Sequence, residues 1–243
     1  MRNYFKYLST FFVFLISVSA SQLIAQKPRI PAGGRVAIVV DERLSAVRSG
    51  PGLTAPLEQR LGRGRFVAIV GRQRSSEGLL YYNVKVSARK RGWLQSGAIV
   101  ILTESTEDDR LLRLLKGSED FDLVVRARIF LEAFPRSQLR PIVLKLYAEA
   151  AEEAATKLSR DASRRLNHNE MVAGGAPEFS YFMNFNGLDR YNRQGIRFTF
   201  DAIAKRFHYD GAAWREILRR YPLSTEAAEA RKRLDELKAA NGR

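Results

Sequence analysis

Two histidines, His168 and His208, and no cysteine make up the imidazole and thiol chemistry of this 243-residue chain. The missing cysteine excludes thiol nucleophiles, thiolate metal sites, disulfides and acylation of a lipoprotein-type cysteine. Two histidines cannot build a multi-histidine metal cage. His168-Asn169-Glu170 matches no metal motif and His208 stands in an aromatic run, so each reads as a surface or packed residue. Ser45 and Ser49 have no neighbouring base, and no G-x-S-x-G elbow occurs. Glu152-Glu153 and Asp108-Asp109 are adjacent in sequence and diverge on a helix instead of facing one substrate. Gly33-Gly34 precedes a strand-like run, not a helix, and is no phosphate cradle. The residues therefore point to a non-enzymatic protein with no cofactor and no metal, and its chemistry must be that of binding.

The chemistry on offer is positive charge. The chain carries 41 Lys+Arg against 26 Asp+Glu, a formal +15, with 45% hydrophobic residues to build a core. Residues 26–102 hold 14 basic and 4 acidic side chains, whereas residues 103–243 hold 25 and 22. Composition changes at the same place, from Val, Ile, Gly and Arg to Ala, Leu, Glu and Arg. This asymmetry predicts two units with different surfaces and a boundary near Leu102, the first able to stand alone. Its basic residues include Arg60, Arg63, Arg65, Arg72, Arg74, Arg89, Lys90 and Arg91. Within that set Arg89-Lys90-Arg91 is the densest focus, expected beside an exposed Tyr81 or Tyr82.

The elements that must position these residues are short strands. Residues 35–40, 66–70, 79–86, 92–95 and 98–100 are β-branched or alternating runs separated by Gly, Pro and Ser turns, which predicts an all-β barrel or sandwich over residues 33–102. Between the first two runs lies Leu44-Ser-Ala-Val-Arg-Ser-Gly-Pro-Gly52, followed by Leu61-Gly-Arg-Gly64 and later by Arg91-Gly-Trp-Leu94. Together these segments resemble the bacterial SH3-like domain, with its L-x-V-R-S-G-P-G loop, its L-x-R-G turn and its final G-W strand. Gly50 and Gly52 are read as positive-φ positions around Pro51. Where the family often carries Trp, this chain has Tyr81-Tyr82, and residues 87–91 form a long basic turn. The resemblance implies a small SH3-like β-barrel that binds cell wall or an envelope protein, with Tyr81, Tyr82, Arg89, Lys90, Arg91 and Trp93 as candidate binding residues. Trp93 is either core or ligand face, and the core reading is preferred because one Trp supplies much of a small barrel's buried area.

Residues 106–240 read as helices. Overlapping S/T-x-x-D starts at residues 105–109 suit helix caps, and Leu111, Leu112, Leu114 and Leu115 form an apolar face. Further helical runs cover residues 121–134, 141–158, 212–221 and 224–240. Ala127-x-x-Phe-Leu-x-x-Phe-Pro-x-Ser137 is echoed by Trp214-x-x-Ile-Leu-x-x-Tyr-Pro-x-Ser224. Each copy puts four apolar residues on one face and stops at proline. This echo resembles the joints of tetratricopeptide-like repeats, although its spacing is no multiple of a period of about 34. The fold class expected is thus α+β multidomain, a small SH3-like β-barrel followed by an all-α tetratricopeptide-like helical array. An aromatic-rich insert at 173–210 interrupts the array and is open between a hairpin and a bent helix. Its aromatics either fill the array or line a partner groove.

The start of the chain gives the compartment. Arg2 and Lys6 precede an apolar run at residues 8–20 and two small-x-Ala exits, at Ala20 and Ala25. This pattern reads as a cleaved signal peptide over residues 1–25, the run being shorter than the roughly 20 residues a span needs. The destination expected is the periplasm or cell surface, with no stable membrane span after cleavage. The partners expected are a cell-wall polymer, an envelope protein or an acidic protein surface. A nucleic-acid partner, suggested by basic residues interleaved with Tyr and Trp, is set aside because secretion removes the chain from most nucleic acid. The remaining alternative is an accessory subunit of an envelope enzyme or secretion complex.

Overall fold

The β-branched runs of the first third pair into a single antiparallel sheet. Its strands are β1 (Arg35–Val39), β2 (Ala46–Arg48), β3 (Leu57–Arg60), β4 (Phe66–Arg74), β5 (Leu80–Lys85), β6 (Arg91–Gln95) and β7 (Ile99–Ile101). They lie in the order β3-β2-β6-β5-β4-β1-β7. The computed structural model describes Pro31 and residues 33–241, so the signal segment expected at residues 1–25 lies outside the described residues. The whole is a mixed α+β protein.

Alternation decides what each strand buries. Ala37, Val39, Val47, Val67, Ile69, Val84, Leu94, Ile99 and Ile101 point to one face and form the sheet's own core. On β1 and β7 the intervening residues are buried as well, because Ile38, Val40 and Val100 share a second core with Leu111, Leu115, Val125 and Phe130 of the helices. Covering on both faces explains why these two strands read as unbroken apolar runs.

Two loop expectations are corrected. The segment 44–52 is not all loop: Ala46–Arg48 forms β2 and pairs with both β3 and β6. Gly50 and Gly52 do not adopt positive φ; in the sheet unit Gly33, Gly64 and Gly78 do. The Leu61-Gly-Arg-Gly64 turn therefore holds the left-handed residue, at φ 81°.

The helices begin directly behind the sheet. α1 (Glu107–Lys116) buries Leu111, Leu112 and Leu115. Its expected Ser/Thr cap is absent, since Thr106 makes no side-chain cap bond. Glu107 instead accepts from the Ile101 amide at 3.2 Å and pairs with Arg110 at 3.0 Å. α2 (Asp120–Ala133), α3 (Arg140–Arg165), α7 (Ala212–Arg220) and α8 (Ala227–Asn241) pack in series, each on the next. The two echo motifs have the same backbone bonding. Phe134 and Tyr221 donate to Phe130 and Ile217, Ser137 and Ser224 to Phe134 and Tyr221, and Arg140 and Ala227 to Ser137 and Ser224.

Between α3 and α7 the chain forms α4 (His168–Gly174), α5 (Glu178–Met183), α6 (Asp189–Asn192), β8 (Phe198–Asp201) and β9 (Arg206–Tyr209). β8 and β9 pair as a hairpin, which resolves the alternative left open by the sequence. Asp201 fixes the turn by accepting from the amides of Ile203 and Ala204 at 2.8 and 3.0 Å. The aromatics are mostly filler. Phe182 stacks on Phe200 at 4.5 Å, Tyr191 meets Phe198 and Phe121 edge-on, and Phe207 and Tyr209 are buried. Among the described residues no helix is long and apolar enough to cross a membrane.

Candidate functional site

The strand register sorts the candidate residues. Leu94 and Val84 belong to the sheet core, so Tyr82, opposite Leu94, faces that core and packs against it. Trp93 stands on the other face, directly opposite Asn83 of β5 and Arg48 of β2. Arg91, two positions before Trp93, shares its face and lies opposite Lys85. The result is a row Arg48–Trp93–Asn83 with Lys85 and Arg91 in the row beside it. Cross-strand partners sit about 5 Å apart at Cβ, so these side chains adjoin.

Gly92 makes the row. A Cβ there would lie 2.4 Å from Val47 Cγ1 and 2.8 Å from the Arg48 carbonyl oxygen. Only glycine lets β2 approach β6 this closely, and that approach sets Arg48 against Trp93. Arg48 is steadied by donating from Nη1 to the Ala55 carbonyl at 2.7 Å, while the Ser49 amide donates to the Pro56 carbonyl at 3.0 Å. The guanidinium is thereby held over the face, with donors left for a ligand.

Trp93 is half-buried and belongs to no core cluster, which corrects the preference for a core role. The fully buried tryptophan is Trp214 of α7. Tyr81 is not exposed as expected. It is 1% accessible, its hydroxyl is shielded without a hydrogen-bond partner, and burial raises its pKa. It shares the outer face with Trp93 but lies opposite Gln73 and Gln95, at the far end of the strand from the basic turn. Arg91 faces Lys85, three positions along β5 from Tyr82 and about 10 Å away.

Arg89 and Lys90 are exposed at the tip of the β5–β6 turn, where the Ser87 hydroxyl accepts from both their amides at 3.4 and 3.2 Å. Neither they nor Arg91 forms an ion pair among the described residues. Arg63 is withdrawn from the free set, since its guanidinium pairs with Asp122 of α2 at 2.6 Å and with Glu42 at 3.5 Å. The structure thus joins Arg91 to Trp93, leaves Arg89 and Lys90 at the tip, buries Tyr81, and turns the half-buried Tyr82 toward the sheet core. Arg48 and Lys85 were missed. The signal for both was parity: each lies an odd number of residues from a core position of its own strand, Val47 and Val84.

Two of the candidates read from the sequence, Ser45 and the Glu152–Glu153 pair, make structural contacts. The Ser45 hydroxyl donates to the Glu42 carbonyl at 2.8 Å, and Glu152 and Glu153 diverge, one toward Trp214 and the other toward Lys157. What the sheet face offers chemically is a flat indole edged by the Arg48 and Arg91 guanidinium groups, suited to a ligand with both apolar surface and negative charge. No protein-family model, curated protein or solved structure matches this chain.

Proposed function

We propose that this is a non-enzymatic, secreted protein of the bacterial cell envelope, made of an SH3-like barrel and a tetratricopeptide-like helical array. The barrel binds an anionic wall polymer or envelope protein, and the array serves as a protein-binding scaffold. The observation that carries the reading is the half-buried Trp93 set between Arg48 and Asn83 with Arg91 on the same face. An aromatic anchor with a cationic rim is the composition expected of a binding hot spot. The exposed Arg89 and Lys90 add a concentrated potential that speeds encounter with a polyanion. The matched joints after α2 and α7 support the scaffold part of the reading, because they stack helix pairs with the same local geometry.

The test is co-sedimentation of the chain with isolated wall polymer, alongside capture from an envelope extract, across a salt series. Binding to polymer that falls as the screening length shortens supports the reading. Reproducible capture of one enzyme or secretion component, with no polymer binding, assigns the chain instead to an accessory role. Absence of both interactions would overturn the proposal.

A further inference from the structure

A cleft of about 500 Å³ opens between α3, β9 and α8, remote from the sheet face. Its walls carry Glu152 and Arg160 from α3, Arg206 and His208 from the hairpin, and Arg233 and Glu236 from α8. The volume lies within the range typical of small-molecule sites.

The charges in this cleft are unequally satisfied. Glu152 accepts from Trp214 Nε1 at 2.7 Å and faces Arg233 at 4.0 Å, while Glu236 lies 3.4 Å from Arg233. Both carboxylates on the α8 side are thus answered within the protein. Asp161 beside Arg160 is paired with Arg164. Asp201, opposite Arg206 in the hairpin register, accepts the Ile203 and Ala204 amides on one oxygen and lies within electrostatic range of Arg206 and His208 without an ion pair to either. Arg160 and Arg206 are exposed and form no ion pair among the described residues. They also line a second, adjoining cavity of about 450 Å³ with Arg164 and Lys205; these two are paired with Asp161 and Glu178, so Arg160 and Arg206 supply the shared rim's charge that has no ion pair among the described residues. In the wall beside them, His208 Nε2 is shielded from water and has no hydrogen-bond partner. Such a group calls for a partner.

We propose that this rim is a binding site for a phosphate monoester, with Arg160 and Arg206 as the clamp and His208 Nε2–H as the inner donor. A carboxylate offers two oxygens to one guanidinium fork. Two unanswered forks and an imidazole match the three terminal oxygens and double charge of a phosphate monoester better. The site is independent of the sheet face. Its detection from sequence failed because residues 103–243 are nearly neutral in total, and only folding separates the answered charges from the unanswered ones.

The experiment is calorimetric titration of the full chain with inorganic phosphate, the ionic strength held constant with chloride. Saturable binding is expected, weakened at least about tenfold in the Arg160→Gln/Arg206→Gln double variant and weakened less in His208→Ala. All three side chains are outside the cores, and an unchanged melting curve verifies the fold. Arg219→Gln, an exposed cation on α7, is the control and is expected to bind as the unaltered chain does. Phosphatidylcholine vesicles with and without phosphatidic acid distinguish the source. Sedimentation that depends on Arg160 and Arg206 assigns a lipid headgroup, and its absence assigns a free phosphorylated ligand. No saturable phosphate binding, equal binding by the double variant, or an equal loss in Arg219→Gln would overturn the proposal.

Discussion

The Arg126 guanidinium of α2 donates from Nε to the Val40 carbonyl at the end of β1, at 3.1 Å. It also donates to the Ser118 hydroxyl at 2.7 Å and lies 3.8 Å from Asp41 and from Asp122. Only 4% of the side chain is accessible, so its pKa is lowered, chiefly by desolvation. A buried cation that bonds a strand end and the Ser118 hydroxyl in the α1–α2 turn, within ion-pair range of two carboxylates, ties the sheet to the helices. Arg126→Ala is expected to lower stability by about 1–3 kcal/mol, because it leaves the Val40 carbonyl without its donor, while Asp41 keeps its bonds to Arg43. Chemical denaturation measures this, and a loss below about 1 kcal/mol contradicts it.

The same junction changes what a truncation must do. A fragment of residues 33–102 exposes Ile38, Val40 and Val100, which α1 and α2 cover in the whole chain. It is expected to aggregate or give a poorly dispersed amide spectrum, contrary to the sequence-based expectation of an autonomous unit. Extension to residue 134 restores the cover and is expected to restore dispersion. A well-dispersed, monomeric 33–102 fragment refutes this.

Glu152 supplies a pH signature. Burial raises its pKa, against the opposing effects of the Trp214 hydrogen bond and the Arg233 charge. The folded state therefore holds this proton more tightly than the unfolded state, whose glutamate titrates near 4.3. Its contribution to stability is full below that value and is lost as pH rises through the raised folded value. Glu152→Gln keeps an acceptor for Trp214 and is expected to remove this loss. The urea midpoint difference between the two proteins should grow in favour of the variant with rising pH across that window. Asp41, lowered chiefly by its hydrogen bond to Arg43, has the opposite trend and cancels in the difference. A pH-independent difference rules the effect out.

Gly92 offers a positional test. Gly92→Ala places a methyl against Val47 and the Arg48 carbonyl, so it is expected to shift β2 away from β6 and lower the melting temperature. Amide shift changes should centre on residues 46–48 and 91–95. An unchanged spectrum contradicts the close approach.

How much of this was legible depends on whether the determining contacts are local. The strands at residues 35–39 and 66–70 were readable because their β-branched runs are bounded by glycine, and the helices because Pro135 and Pro222 stop them after periodic faces. β2 and β3 were not, since three or four residues at Ala46–Arg48 and Leu57–Arg60 carry little pattern and owe their existence to pairing with distant β6 and with each other. The hairpin was only half legible, because the Asp201 side-chain turn that selects it over a helix looks like an ordinary polar residue in sequence. Of the residues on the proposed binding face, Arg91 and Trp93 lie in the G-W segment that the sequence singles out. Tyr81 was misplaced because it stands on the outer face of β5, where alternation predicts exposure, yet it is almost fully buried.

Neutralising the tip separates attraction from anchoring. In the Arg89→Gln/Lys90→Gln variant, encounter with an anionic envelope polymer is expected to slow and lose most of its salt dependence. The stability should stay within about 0.5 kcal/mol, as for other surface substitutions. Unaltered salt dependence in surface-plasmon measurements means that the tip is only a solvated turn.

The most direct test of the proposed binding face is the Trp93→Ala variant, assayed for polymer or envelope-partner binding and for thermal stability in the same preparation. Trp93 lies outside the sheet core, so the account predicts binding at least about tenfold weaker with a melting temperature lowered by only a few degrees. Retained binding, or a loss of binding explained wholly by unfolding, contradicts it.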